Sequence, residues 1–210
     1  MVDGGAAGIV VLHADAAIVV LDKPSGLASV PAKPPGPQDC LVARARARWT
    51  DLRLVHRLDR DTSGVTVFAR SALAQRHLGW QFERRQVAKA YVARVAGTVA
   101  GATGRITLPL AADWPNRPRQ MVCHAQGRPA VTDWEVIGRE PGATRLRLRP
   151  VTGRTHQLRV HLAALGHPVL GDPLYGDAGT AARLQLHAEV LGFRHPEGGA
   201  RVEFRAEVPF

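Results

Sequence analysis

Apolar residues come in short runs along this chain, divided by polar turns and by stretches rich in glycine and proline, with no internal repeat. Residues 9–12 and 18–21 are β-branched runs joined by a polar turn, which predicts a hairpin. Lys23-Pro24-Ser25-Gly26 ends the second run, and residues 30–39 form a proline-rich loop. Asp39 is placed to N-cap a helix over 40–49, with Leu41, Val42 and Ala45 inward and Arg44 and Arg48 on one face. Residues 65–69 read as a strand. Ser71 then opens a helix to about residue 85, with Leu73, Leu78 and Phe82 as its apolar positions. Residues 87–95 predict a strand carrying Tyr91. Arg145-Leu146-Arg147-Leu148-Arg149 alternates strictly, so it predicts a strand with leucines inward, and Thr132, Trp134 and Val136 suggest its partner. Residues 155–165 predict a helix stopped by Gly166 and Pro168, and residues 184–193 and 202–208 two closing strands. The mixture is α+β, and no break in composition marks a linker.

A chain of 210 residues, 45% of them hydrophobic, buries a sizeable core as one domain or two closely fused lobes. No apolar run approaches the roughly 20 residues of a membrane span. The N-terminus shows no basic segment followed by an apolar one, so no secretion signal is visible. Cys40 and Cys123 are too few for a disulfide framework, and a cytoplasmic location is expected. The net charge of +10 adds a partner to this picture. Of 28 basic residues only Lys23, Lys33 and Lys89 are lysines. Arginine offers a planar fork that grips phosphate, so a polyanion is expected, nucleic acid first. The many Ala, Gly and Pro residues weaken that inference, since all of these compositions follow from a GC-rich coding sequence. Few aromatics argue against a stacking platform for long single strands.

Candidate chemistry concentrates in four segments. His56-Arg57-Leu58-Asp59-Arg60-Asp61-Thr62-Ser63-Gly64 sets one carboxylate, Asp59, between Arg57 and Arg60 just before a strand. Opposite charge within reach keeps a carboxylate ionised, and ionised carboxylates act as nucleophiles at sugar anomeric carbons. Taken alone, the string reads better as a turn capped by Asp59 or Asp61; the later segments shift the balance. Lys89-Ala90-Tyr91 places a tyrosine on a strand, where it can stack on a planar base, take a proton, or simply fill a half-buried position. In Thr152-Gly153-Arg154-Thr155-His156-Gln157-Leu158-Arg159-Val160-His161-Leu162, Arg154 stands at a helix entrance and is suited to orient a carboxylate. His156 and His161 are five apart and miss the spacing of a metal pair, so both are expected to be structural. Gly166-His167-Pro168-Val169-Leu170-Gly171-Asp172-Pro173-Leu174-Tyr175-Gly176 reads as one tight loop.

Together these segments resemble the RluA-type RNA pseudouridine synthases, over nearly the whole chain from Val19 to Ala188. Ser29-Val30-Pro31 and Asp113-Trp114-Pro115-Asn116-Arg117-Pro118 are similar to one branch of that family, whose substrates are stem-loops of large-subunit rRNA and of tRNA. The resemblance implies the pseudouridine synthase fold: a long, mixed, mainly antiparallel sheet, helices on one side, and a central RNA-binding cleft across the other. It implies residues 1–210 as a single catalytic domain with no N-terminal S4-like module. It also implies an isomerase that needs no cofactor and no metal and acts on structured RNA away from membranes; the sequence carries no visible sign of oligomeric state, and a monomer is the default expectation. Asp59, Tyr91 and Arg154 match the catalytic positions: the carboxylate, the tyrosine packed on the uracil, and the basic partner of the carboxylate. Arg57 matches the residue that fills the space left by a flipped base, and His56, Arg60 and Arg159 join it as expected RNA contacts.

Three rivals remain beside it. A non-catalytic RNA-binding or ribosome-assembly protein on the same fold would have no need of Asp59, Tyr91 and Arg154. A glycoside hydrolase or nucleosidase needs a second carboxylate about 5–9 Å from the first, for which Asp61 is the nearest candidate. A metal-dependent nuclease would use Asp59, Asp61 and His56.

Overall fold

In the computed structural model, which describes residues 8–210, the run at 18–21 is apolar at every position because both of its faces are buried. The elements follow as β1 (Val10–Ala14), β2 (Ile18–Lys23), α1 (Leu41–Arg46), β3 (Arg53–Leu54), β4 (Ser63–Ala69), α2 (Ala72–Glu83) and β5 (Ala88–Ala96). After these come β6 (Thr103–Ile106), β7 (Leu110–Ala112), β8 (Gln120–Val122), β9 (Thr132–Glu140), β10 (Ala143–Pro150), α3 (Gln157–Ala164), β11 (Leu186–Arg194) and β12 (Arg201–Arg205). The result is an α+β fold whose strands pair mostly antiparallel. No helix among the described residues is long and apolar enough to cross a membrane.

The chain forms two compact units, passing from the first to the second after Lys89 in β5 and returning at Ala188 in β11. In the first unit the strand order is β1-β2-β4-β11, with β3 beside β4 and β12 beside β11. The expected hairpin is present as the antiparallel pair β1–β2, and β2 runs antiparallel to β4 from Ile18 opposite Ala69 to Lys23 opposite Gly64. Ile18 and Val20 point into one apolar cluster with Val65, Val67, Leu78 and Phe193. Val19 and Leu21 point into another with Leu41, Ala45, Leu52 and Phe68. Each such side chain contributes about 1.5–3 kcal/mol on full burial. Thus α2 and α1 cover opposite faces of the strands, which corrects the expectation of helices on one side. A strand apolar on both faces requires a cover on each.

Helix details differ from the sequence reading in two places. Ser71 does cap α2, its hydroxyl accepting from the Ala74 N–H, but the buried stripe is Ala74, Leu78 and Gln81. Leu73 is 68% exposed, because a five-residue step from Leu73 to Leu78 overshoots one helical turn. Asp39 does not cap α1. Its carboxylate accepts instead from the Arg44 side chain, and Cys40 occupies the cap position without a side-chain bond.

In the second unit the order is β5-β10-β9-β6, all antiparallel, with β7–β8 as a separate hairpin. Leu146 and Leu148 are fully buried against Leu158 and Leu162 of α3, as the alternation predicts. On the opposite face Arg145 pairs with Glu140 and Arg149 with Glu135. The strands β3, β6, β7 and β8 were not foreseen, since two to four residues carry no periodicity.

Candidate active site

The loop that carries Asp59 is held from below by the segment following β2. Lys23 has no solvent exposure, and its ammonium donates to the carbonyls of Pro24 (2.8 Å), Leu27 (2.7 Å) and Arg60 (2.8 Å). Ser25 donates to the Asp61 carbonyl at 2.6 Å. Ser29 donates to the Leu58 carbonyl at 2.7 Å and accepts from the Leu58 N–H at 3.1 Å. Every residue from Leu58 to Asp61 except Asp59 itself is thereby tied through its backbone to the 23–29 segment. The half-buried Asp59 uses its own carbonyl to accept from the Thr62 N–H at 3.2 Å, closing a turn. Sequence reading took Lys23 only as a strand terminator. The available signal was a lysine two residues past a fully apolar run, at the end of the same strand.

Gly64 ends the motif for a steric reason. Its φ is +116°, and a Cβ there would lie 2.2 Å from the Ala188 carbonyl oxygen. Side chains cannot enter where β11 passes this close.

The expected RNA contacts lie in different settings, two of them, His56 and Arg159, inside the fold. His56 is turned inward: its Nε2 accepts the Val67 N–H at 3.1 Å, and its ring stacks on Phe82 with centroids 4.6 Å apart. Burial, with the Lys89 charge beside it, lowers its pKa to about 3, so the ring is neutral and part of the packing. Arg60, expected to flank Asp59, is exposed and pairs with Asp61 at 3.0 Å rather than with the equally adjacent Asp59. Arg159 is buried, and its guanidinium forks onto the buried Asp172 carboxylate at 2.7 and 2.6 Å. It braces the 166–176 loop and faces no solvent. Arg57 alone of the four is exposed without a bond to another side chain.

In the second unit Tyr91 sits on β5 opposite Leu148, half-buried at the edge of the leucine cluster. Arg154 is half-buried, its backbone N–H donating to Gln157 Oε1 at 3.0 Å and its Nε to the Pro129 carbonyl at 3.3 Å. Gln157 in turn accepts from the Thr152 hydroxyl and donates to Val131 and Thr132. His161 is buried between the Thr132 hydroxyl and the Leu108 carbonyl, and burial lowers its pKa, so it is neutral. His156 adopts a left-handed φ of 53°, which delays the start of α3 to Gln157, and its Nδ1 lies 2.7 Å from the Tyr175 hydroxyl. His161 is thus packed within the fold, and His156 is tied to the 166–176 loop through Tyr175. Among the described residues no three His, Cys, Asp or Glu side chains gather as a metal ion would require.

Comparison with known proteins adds the following. A sequence model of the RNA pseudouridylate synthases matches residues 17–164. The dual-specificity RNA pseudouridine synthase RluA of Yersinia pestis is 47% identical over 206 residues, covering 96% of this chain and all of that one. The protein of the same name from Escherichia coli K12 is 46% identical, covering 96% and 94%. Among solved structures, human RNA pseudouridylate synthase domain containing 1 superposes with a TM-score of 0.82 at 29% identity, over 100% of this chain and 87% of that one. Human RNA pseudouridylate synthase domain containing 4 does so with 0.77 at 26% identity, over 95% and 88%.

Proposed function

The chain belongs to the RNA pseudouridylate synthase family, and from that premise we propose that it isomerises stem-loop uridines to pseudouridine in large-subunit rRNA, in a tRNA anticodon stem-loop, or in both. The observation that carries the reading is a half-buried carboxylate, Asp59, on a loop whose neighbouring backbone groups are fastened by Lys23, Ser25 and Ser29. A loop so fastened keeps its carboxylate in place without help from substrate, as catalysis by positioning requires.

The reaction breaks the N1–C1′ bond, turns the uracil, and joins C5 to C1′; C5 gives up its proton and N1 gains one. Asp59 is assigned to the step that frees the base: attack on C1′, addition to C6, or removal of the C2′ proton. Tyr91 is assigned to the face of the uracil and, through its phenol, to the C5 proton. Arg154 is assigned to orienting the carboxylate. The nucleotide must leave its stack at a cost of a few kcal/mol, which is least in a loop, and Arg57 is assigned to the space it vacates. No cofactor enters this scheme. The two units serve as one catalytic domain, acting as a monomer in the cytoplasm.

Release of tritium from RNA labelled at uridine C5 tests the assignment. Asp59→Asn should abolish release while RNA affinity stays within about tenfold, and continued turnover would remove Asp59 from the mechanism. An Asp59→Asn, Arg154→Ala cycle should be strongly non-additive if the two act together. Mapping pseudouridines in RNA from a deletion strain identifies the target.

A further inference from the structure

A cavity of about 300 Å³ opens in the first unit, lined by Gln81, Gln86, Phe193, Arg194 and Arg201. Arg194 and Arg201 are direct cross-strand partners on β11 and β12. Like charges so placed, with Cβ atoms about 5 Å apart, repel one another. Gln81 holds the wall together: its side chain donates to the Arg194 carbonyl and accepts from the Arg194 N–H, both at 2.8 Å. The segment that returns to Gln86 carries Arg84 and Arg85, both exposed, and the Lys89 charge lies close to Arg85.

None of Arg84, Arg85, Lys89, Arg194 and Arg201 is ion-paired. Several carboxylates elsewhere are ion-paired: Asp39 with Arg44, Asp51 with Arg70, Glu140 with Arg94, Glu203 with Arg205. Glu83 and Glu197, on the same segments as these cations, form no ion pair with them. Two unmatched arginines directly opposed in the cavity wall, with three more unmatched cations on the segment through Gln86, describe a place completed by an anion. Trp80, exposed one turn before Arg84 and stacked under it at 4.3 Å, adds an aromatic surface of the kind that nucleic acid uses and free phosphate does not.

We propose that this cavity, between the C-terminal end of α2 and the β11–β12 hairpin, is a second RNA contact that binds a backbone phosphodiester away from the target uridine. The proposal rests on the RNA-modifying reading and adds a site that the chemistry at Asp59 does not use. Its wall is mechanically joined to the catalytic loop, since Phe82, next to Gln81, is the ring on which His56 stacks.

The test is the salt dependence of stem-loop RNA binding by R194E/R201E, with R194Q/R201Q as a milder pair and R194K/R201K as the charge-preserving control. Two lost single-strand phosphate contacts reduce the magnitude of the log–log salt slope by about 1.4, or about 25-fold in affinity at 0.1 M salt relative to 1 M. Turnover at saturating RNA should stay within about twofold, and the lysine pair should bind nearly as wild type does, since phosphate contacts need the charge more than the fork. Unchanged slope and affinity in the glutamate and glutamine pairs overturn the proposal. So does inorganic phosphate that binds wild type but not R194Q/R201Q while RNA affinity is equal in both, since the site would then be one for free phosphate. Tritium release by wild type is scored separately. Its absence, with an arginine-dependent salt slope intact, would sink the isomerase reading and leave this one standing.

Discussion

Replacing Lys23 by methionine isolates the support of the Asp59 loop from the chemistry assigned to it. The substitution keeps most of the stem volume and removes the ammonium that serves the carbonyls of Pro24, Leu27 and Arg60. A buried acceptor left without a donor costs about 1–3 kcal/mol. The Leu27 carbonyl bond is buried and bears that cost in full, whereas the Pro24 and Arg60 bonds are partly accessible and water recovers part of theirs. Removing a buried charge returns some desolvation energy, so a net loss of about 2–4 kcal/mol follows. Domains of this kind have about 5–15 kcal/mol to lose, so Lys23→Met should remain folded at room temperature with a lower urea midpoint. The functional effect should be larger than the stability effect suggests. Arg60 is the residue after Asp59, and a catalytic group misplaced by about 1 Å costs on the order of a hundredfold in rate. The expected result is kcat reduced about a hundredfold with RNA affinity nearly unchanged, measured well below the unfolding transition. Wild-type kcat in a folded Lys23→Met protein would show that the lysine clamp does not position Asp59.

Other outcomes follow from the same geometry. Gly64→Ala would drive a methyl into the Ala188 backbone at 2.2 Å, so it should cost more than about 4 kcal/mol and yield little soluble protein; a normal melting temperature would contradict the close approach. Asp172→Asn strands the buried Arg159 guanidinium and should destabilise by about 3–5 kcal/mol in urea titrations; a loss below about 1 kcal/mol would deny the pair a structural role. The folded-state pKa of His56, about 3, lies below the ordinary 6.5, so only the unfolded chain takes up that proton between these values. Its contribution is complete above pH 6.5 and is lost as pH falls toward 3, with a slope of up to about 1.36 kcal/mol per pH unit. His56→Phe should flatten the stability curve between pH 6 and 4, and parallel curves for the two proteins would refute the assignment.

Much of the fold was readable from periodicity because burial enforces it. Leu146 and Leu148 alternate because α3 packs on one face of β10, and residues 18–21 do not alternate because clusters lie on both faces of β2. Errors arose where a side chain had two local options. Asp39 chose a guanidinium over a helix N-terminus, and Arg60 chose Asp61 over Asp59. Charges near one another in sequence do not declare which pair will form. Arg159 and Asp172 were invisible as partners for another reason: they are 13 residues apart and joined by tertiary structure alone.

The site itself was legible as a set of strings, yet most of their polar residues support the fold. In the segment from Thr152 to His161, Thr152, Gln157 and His161 spend their hydrogen-bonding groups on Val131, Thr132, Leu108 and one another, and Arg159 spends its fork on Asp172. Arg154, like its neighbours Thr155 and His156, is left partly exposed, with its backbone N–H fixed by Gln157. The first unit repeats the design, with Lys23, Ser25 and Ser29 fastening the backbone on both sides of a half-buried Asp59. Chemistry needs one or two atoms at a fixed place, and loops lack the ladders that would fix them, so polar side chains must do that work. A motif rich in polar residues therefore marks a loop whose position matters, and the residue assigned to the reaction is one its neighbours leave partly in solvent.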